Sequence, residues 1–200
     1  MSNAIWTMPV PKNEPTFEYR PGSPERKLLK AELARLSGQE VEIPLIIGGR
    51  EVRTGSMGTC AMPHNHGHRL GVYHKAGSQE VASAIQAALV AREAWANMPW
   101  EQRAGIFLKA AELAAKEWRY TLNASTMLGI SKTAYQAEID SGGELIDFWR
   151  FNVHYMEQIY RQQPDSSPGV WNRVEHRPLE GFVFAVTPFN FTAIAGNLPT

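Results

Sequence analysis

Leu28, Leu29, Leu33 and Leu36 recur at helical spacing behind Ser23-Pro24-Glu25. Steps of three and four place such side chains on one face of a helix. Ser23 suits the N-cap, Pro24 the first helical position and Glu25 the positive end of the helix dipole, while Gly38 closes the pattern. The pattern then turns extended. VEIPLIIGGREVRTG places two β-prone pieces around Gly48-Gly49, a dipeptide that tolerates positive φ, and so predicts a hairpin. Ser78 next caps a helix carrying Val81, Ile85, Ala88, Ala91 and Trp95, which Met98-Pro99 breaks. A further helix is predicted over 100–118, with Ala104, Phe107, Leu108, Ala111, Ala115 and Trp118 on one side. A short piece over 121–128 stops at Gly129, and a longer helix spans 133–160 with Gly142-Gly143 as its weak point. Leu145, Ile146, Phe148, Trp149, Phe151, Val153 and Met156 make its second half apolar around much of its girth, which predicts burial under a large neighbour.

Gln163-Pro164 ends the helical region. Residues 165–178 are polar, with Pro168, Gly169 and isolated Val170, Trp171 and Val174, and read as an exposed β-ribbon. The run FVFAV at 182–186 is continuously apolar. Strands buried on both faces read this way, and they belong to parallel sheets with helices on either side. One such strand cannot make a sheet, so its partners must come from elsewhere. The first twenty residues, rich in proline and polar groups, read as an extended arm. The fold class expected is α/β: helices with a single central strand.

Composition narrows the function classes. In a 200-residue chain with 44% hydrophobic residues a proper core is possible, about 70% of the unfolded surface being buried at this size. Lysine plus arginine balance aspartate plus glutamate at 20 each, so no broad positive field favours nucleic acid or an anionic membrane. No apolar stretch approaches the ~20 residues of a membrane-spanning helix. The start has neither the charged-then-apolar form of a secretory signal nor the arginine-rich form of a mitochondrial presequence. Bacterial cytoplasm is therefore expected, with the mitochondrial matrix as the alternative. The single cysteine, Cys60, excludes an intrachain disulfide.

Three places could carry chemistry. His64, His66 and His68, with Cys60 nearby, have alternate spacing that could hold zinc. The intervening Asn65 and Gly67 are turn formers, and no second cluster completes a site, so the expectation is a polar hairpin tip and no metal. Glu144 lies beside Phe148 and Phe151 on one helix face; it either faces a ligand's ammonium group or is an ordinary solvated glutamate. G-x-G-x-x-G, P-loop, G-x-S-x-G and H-E-x-x-H patterns are all absent, and Cys60 has no helix start after it to lower its pKa. Asn190 stands between Phe189 and Phe191 just past the apolar run. Pro188 stiffens the exit and holds Thr187 extended. Ligands of open α/β sheets sit at such strand ends, and a side-chain amide there offers a neutral donor to a developing oxyanion. A turn asparagine bonding its own backbone is the competing reading.

The stretch EGFVFAVTPFNFT resembles the strand-and-asparagine motif of the aldehyde dehydrogenase superfamily, whose usual form is a proline, an aromatic, asparagine and phenylalanine. The pair AIQAALVAREAWANMPWEQRAGIFLKAAELA is similar to that superfamily too, notably at Trp95, Arg103 and Ala104. GSPER, NHGH and QAEIDSGGELIDFWRFN followed by PFNFTAI together resemble its Δ1-pyrroline-5-carboxylate (L-glutamate γ-semialdehyde) dehydrogenase branch, over residues 22–200. The resemblance implies a cysteine thiolate that attacks the aldehyde, hydride transfer to NAD, and hydrolysis of a thioester to L-glutamate. It assigns Asn190 to the oxyanion, Thr187, Pro188 and Phe189 to the nicotinamide-ribose end of the NAD site, and Glu144 and Phe191 to the substrate pocket. It divides the chain into an arm (1–22), a helical part with hairpin (23–160), an oligomerisation ribbon of a homodimer or larger homo-oligomer (161–178) and the start of a Rossmann-like NAD-binding core (179–200). The family's catalytic cysteine, general-base glutamate and glycine-rich turn lie beyond the asparagine motif, so the chain is expected to be the N-terminal portion of a longer enzyme and inactive alone. The alternatives are a non-catalytic helical interaction module and an aldehyde dehydrogenase of other substrate specificity.

Overall fold

A computed structural model describes residues 6–197, so residues 1–5 of the expected arm and 198–200 of the expected cofactor core lie outside the described residues. Helix α1 (Pro24–Ser37) begins as its sequence dictates: Ser23 Oγ accepts from Arg26 N–H at 3.3 Å, and Gly38 N–H returns to Ala34 O at 3.1 Å. Strands β2 (Leu45–Ile47) and β3 (Arg50–Val52) form the predicted hairpin, its two-residue turn made by Gly48 and Gly49 at φ of 57° and 76°. Strand β1 (Val41–Ile43), just before that hairpin, runs parallel to β5 (Asn65–His74), which pairs antiparallel with β4 (Met57–Met62). The sheet order is thus β1-β5-β4.

Helix α2 (Ser78–Asn97) starts one residue earlier than expected: Gly77 is the N-cap and Ser78 the first helical residue. The orphan N–H of Gly77 is taken by the Glu80 carboxylate at 2.7 Å, which is the acid's half of a capping box, and no side chain caps the helix as the serine was expected to. Helix α3 (Trp100–Ala115) ends before Trp118, and α4 (Arg119–Ile130) runs through Gly129 to stop at Ser131, which takes a left-handed φ of 59°. A glycine near a helix end is tolerated when the chain turns a residue or two later. The expected long helix is three pieces: α5 (Ala134–Ala137), a π-helical segment (Glu138–Glu144) and α6 (Leu145–Arg161). Gly142 and Gly143 fall inside the π segment.

The core is split between two contacts. Tyr19, Leu29 and Ala124 join the arm, α1 and α4; Ala111, Ala114 and Ile146 join α3 to α6. The arm is extended because Pro9, Pro11 and Pro15 remove backbone donors. Three of its N–H groups are taken by acids of the π segment and α6: Met8 by Glu157 (2.7 Å), Glu14 by Asp147 (2.7 Å) and Phe17 by Glu138 (2.8 Å).

Three expectations are corrected. Helix α6 buries Ile146 and Val153, but Phe148, Tyr155 and Ile159 on its other side are exposed, so the large cover is not provided by the described residues. Residues 165–178 form no ribbon and 182–186 no strand. The reason is common to both: a strand exists by pairing, and no described edge is offered to them. Phe184 is 82% exposed where burial on both faces was expected.

Candidate active site

The site is built outward from the π segment. A π turn is wider than an α turn, and such turns recur at functional sites. Glu138 points inward, fully buried, and accepts from Tyr19 Oη at 2.5 Å, Asn123 Nδ2 at 2.6 Å and Phe17 N–H. It also pairs with Arg119, whose Nη1 reaches Glu14 Oε1 and whose Nη2, shared with Glu138, reaches Pro15 O, both at 2.6 Å. Burial disfavours the Arg119 charge, but the two carboxylates more than offset it and its pKa rises above the ordinary arginine value. Burial, then the hydrogen bond to Glu138 and its charge, push the Tyr19 phenol above its ordinary value. Gly142 has no side chain because Glu138 occupies that space: a Cβ there would lie 2.6 Å from Glu138 Oε2. Ser141 Oγ meets Thr126 Oγ1 at 2.8 Å and ties the segment to α4.

Asp140, 2% exposed, leaves the segment on another side. Its carboxylate receives Lys132 Nζ at 2.8 Å and the backbone N–H groups of Thr192, Ala193 and Ile194 at 3.2, 3.4 and 3.0 Å. Those three residues open a single 3₁₀ turn (Ile194–Asn197). Lys132 Nζ also lies 4.2 Å from the centroid of the Phe191 ring, a cation–π contact.

Glu144, exposed, marks the far end of the segment. It lines an open cavity of about 530 Å³ together with Ile130, Ile139, Lys132, Asn190 and Phe191. A second cavity of about 350 Å³ lies beyond it, walled by Phe148, Phe151 and Tyr155, and Glu144 lines both. Asn190 occupies a turn with Phe189 at the rim of the first cavity, and among the described residues its amide makes no hydrogen bond. Phe189 is 93% exposed. Thr187 and Pro188 are exposed on the stretch leading in and are not among the cavity's lining residues. The structure therefore brings Glu144, Asn190, Phe189 and Phe191 to one cavity, with Thr187 and Pro188 on its approach. Asp140 and Lys132 were missed; the signal was two acids, Glu138 and Asp140, two residues apart in the first half of the predicted 133–160 helix.

The histidines are separate from this site. His64 Nδ1 meets Ser131 Oγ at 2.7 Å at the β4–β5 turn, while His66 and His68 lie in β5. Among the described residues, no group of three or more histidine, cysteine or acidic side chains has metal-binding geometry. Cys60 is half-buried in β4 opposite Gly71. Among the described residues no helix is long and apolar enough to cross a membrane.

A helical layer against a small sheet, ending in an asparagine turn beside an apolar cavity, is the arrangement of one large enzyme class, and the comparisons agree. The aldehyde dehydrogenase family model matches residues 53–197, and the chain belongs to that family. It is 52% identical over 198 residues to the Δ1-pyrroline-5-carboxylate dehydrogenase of Agaricus bisporus, covering 98% of this chain and 36% of that protein. The crystal structure of the Δ-pyrroline-5-carboxylate dehydrogenase from Mycobacterium tuberculosis superposes with a TM-score of 0.97 at 52% identity, covering 100% of this chain and 37% of that one. The same enzyme bound with NAD superposes at 0.96, covering 99% and 37%. The chain thus spans about a third of the length of the relatives it matches.

Proposed function

We propose that this chain supplies the oxyanion donor and part of the substrate pocket of an NAD-dependent dehydrogenase that oxidises L-glutamate γ-semialdehyde to L-glutamate. The observation that carries the reading is Asn190: an amide free of hydrogen bonds, set at the rim of a cavity with apolar walls, in a chain half identical to relatives of that name. When a thiolate supplied by another part of the whole protein adds to the aldehyde carbonyl, the oxygen becomes an anion. The Asn190 NH₂ donates to that anion without bringing a charge that would also hold the ground-state aldehyde. Phe191 packs on the methylene chain, and Glu144, which faces solvent between the two cavities, holds the substrate's ammonium group. NAD, when bound, would supply the hydride acceptor. The exposed, extended 187–189 stretch fits its nicotinamide-ribose end through backbone groups, and the phosphates must be held by other parts of the protein. The exposed 161–178 segment, with Trp171 open to solvent, is assigned to self-association as a homodimer.

The test is Asn190→Ala in the whole protein. We expect kcat to fall by on the order of 10²–10³ while NAD affinity changes by less than about threefold, because the lost bond acts in the transition state. Near-normal turnover refutes the assignment.

A further inference from the structure

Among the described residues Asn190 makes no hydrogen bond that would fix it, and the stretch before it is exposed and in no strand. Its position is set from the residues that follow. Phe191 lies under the Lys132 ammonium, and the next three backbone N–H groups converge on one buried carboxylate. Two peptide units separate Asn190 from Thr192, so the first tethered nitrogen lies within about 7 Å of chain. Ala193 and Ala195 are buried with methyl side chains, which lets the turn lie close against the π segment.

We infer that Asp140, neutralised by Lys132, is a positioning residue for Asn190: it fixes the direction of the amide toward the cavity through the Thr192–Ile194 backbone. The inference rests on the oxyanion role proposed above. The physical case is one of complementarity. Three successive N–H groups at a turn start have no partners within the turn, and an ionised carboxylate accepts all three at once. A carboxylate so deeply buried needs a cation and several donors around it, and the structure supplies both. The partners belong to different elements: Lys132 follows α4, Asp140 lies in the π segment, and the acceptor pair Oδ1 and Oδ2 is shared among three residues of the motif turn. Any rotation of the carboxylate therefore moves the turn as a unit. Lys132 acts on both sides of this arrangement, on Asp140 directly and on Phe191 through its ring. A purely structural cap would hold the turn just as well, and would affect stability without selecting for the step that Asn190 serves.

The experiment compares four forms of the whole protein: wild type, Asp140→Asn, Asn190→Ala and the double variant. Two quantities are read: hydrogen exchange of a peptide covering 189–197, and steady-state NADH formation from L-glutamate γ-semialdehyde. In Asp140→Asn we expect exchange in that peptide to quicken by about tenfold or more. We expect kcat to fall by on the order of 10- to 100-fold, as a misplaced catalytic group costs, with KM and NAD affinity within about threefold. The double variant should be no slower than Asn190→Ala alone, within about threefold, because Asp140 acts through Asn190. Unchanged exchange, unchanged kcat, or losses that multiply in the double variant each overturn the positioning role while leaving the oxyanion role standing. Normal turnover in Asn190→Ala overturns the oxyanion role and this inference with it. If Asp140→Asn does not fold, Lys132→Gln replaces it. That variant leaves the three backbone bonds available but unpairs the carboxylate, and must show the same kcat-selective, non-multiplying loss; its absence overturns the inference.

Discussion

Replacing Glu138 by glutamine tests how the arm is held. The side chain keeps its shape and loses its charge. In the wild-type fold its two oxygens accept from Arg119, Asn123, Tyr19 and Phe17, and neither Glu138 nor Arg119 is more than 2% exposed, so solvent screens little. Glutamine has one acceptor oxygen, and its NH₂ is set against groups that are themselves donors. Breaking one side of a buried ion pair costs about 3–5 kcal/mol. Arg119 retains Glu14 and Pro15 O, each at 2.6 Å, which places the expectation at the lower end, about 3 kcal/mol. For a chain of this size that lowers the unfolding midpoint by roughly 6–12 °C. Calorimetry or circular dichroism reads the midpoint, and limited trypsin digestion reads the arm, since Lys12 is exposed and cleavage there should quicken as Phe17 loses its anchor. A midpoint within about 1 °C of wild type, with unchanged cleavage, would show that the buried pair contributes nothing net and that the arm is held by its other contacts.

Gly142→Ala should destabilise by about 1–3 kcal/mol despite alanine's better helix propensity, because the new Cβ displaces the Glu138 carboxylate. Gly143→Ala, whose Cβ would meet Glu138 O at an ordinary 3.5 Å, should be neutral or mildly stabilising, and urea unfolding of the pair checks both. Tyr19 gives a pH dependence. Its folded pKa is raised above the ordinary value of 10.0, so its contribution is whole below pH 10 and is lost as pH rises toward the folded value, where the unfolded chain ionises first. Urea unfolding from pH 8 to 11 should show wild type losing stability above pH 10 more steeply than Tyr19→Phe; equal slopes would contradict the assignment.

What the sequence disclosed was local. The start of α1 was legible because Ser23, Pro24 and Glu25 act within one turn, and the β2–β3 turn because two glycines adopt what other residues resist. Gly142-Gly143 marked the weak point of the long helix but not its content. The π segment is fixed by Arg119, 19 residues before Glu138, and by Phe17, 121 residues before it, and no window along the chain holds those partners together. Ser78 misled because a serine and a glycine stood side by side, and the Glu80 carboxylate chose the glycine's N–H. The apolar run at 182–186 was read correctly as a pattern and is unpaired as structure, since a strand's identity belongs partly to its neighbours. Asn190 was singled out by its setting; Asp140, proposed to position it, lies 50 residues earlier and carried no mark beyond an acid between Ile139 and Ser141.

The same seven residues, Glu138–Glu144, thus serve three destinations. Glu138 faces the arm, Asp140 faces the asparagine turn and Glu144 faces the cavities. A step of two residues sends Glu138 and Asp140 to opposite sides of the segment, and Glu144 stands four residues further along it. Gly142 is the steric condition of the Glu138 side, because the segment has no room for both a Cβ there and the Glu138 carboxylate. Placing the acids on one helical segment rather than on loops keeps their relative directions fixed. A displacement of the arm at Glu138 therefore reaches Asp140 through two covalent residues, and through Asp140 it reaches Asn190. Stability of the arm and aim of the amide are mechanically linked by construction, although the arm touches no part of the cavity rim where Asn190 stands.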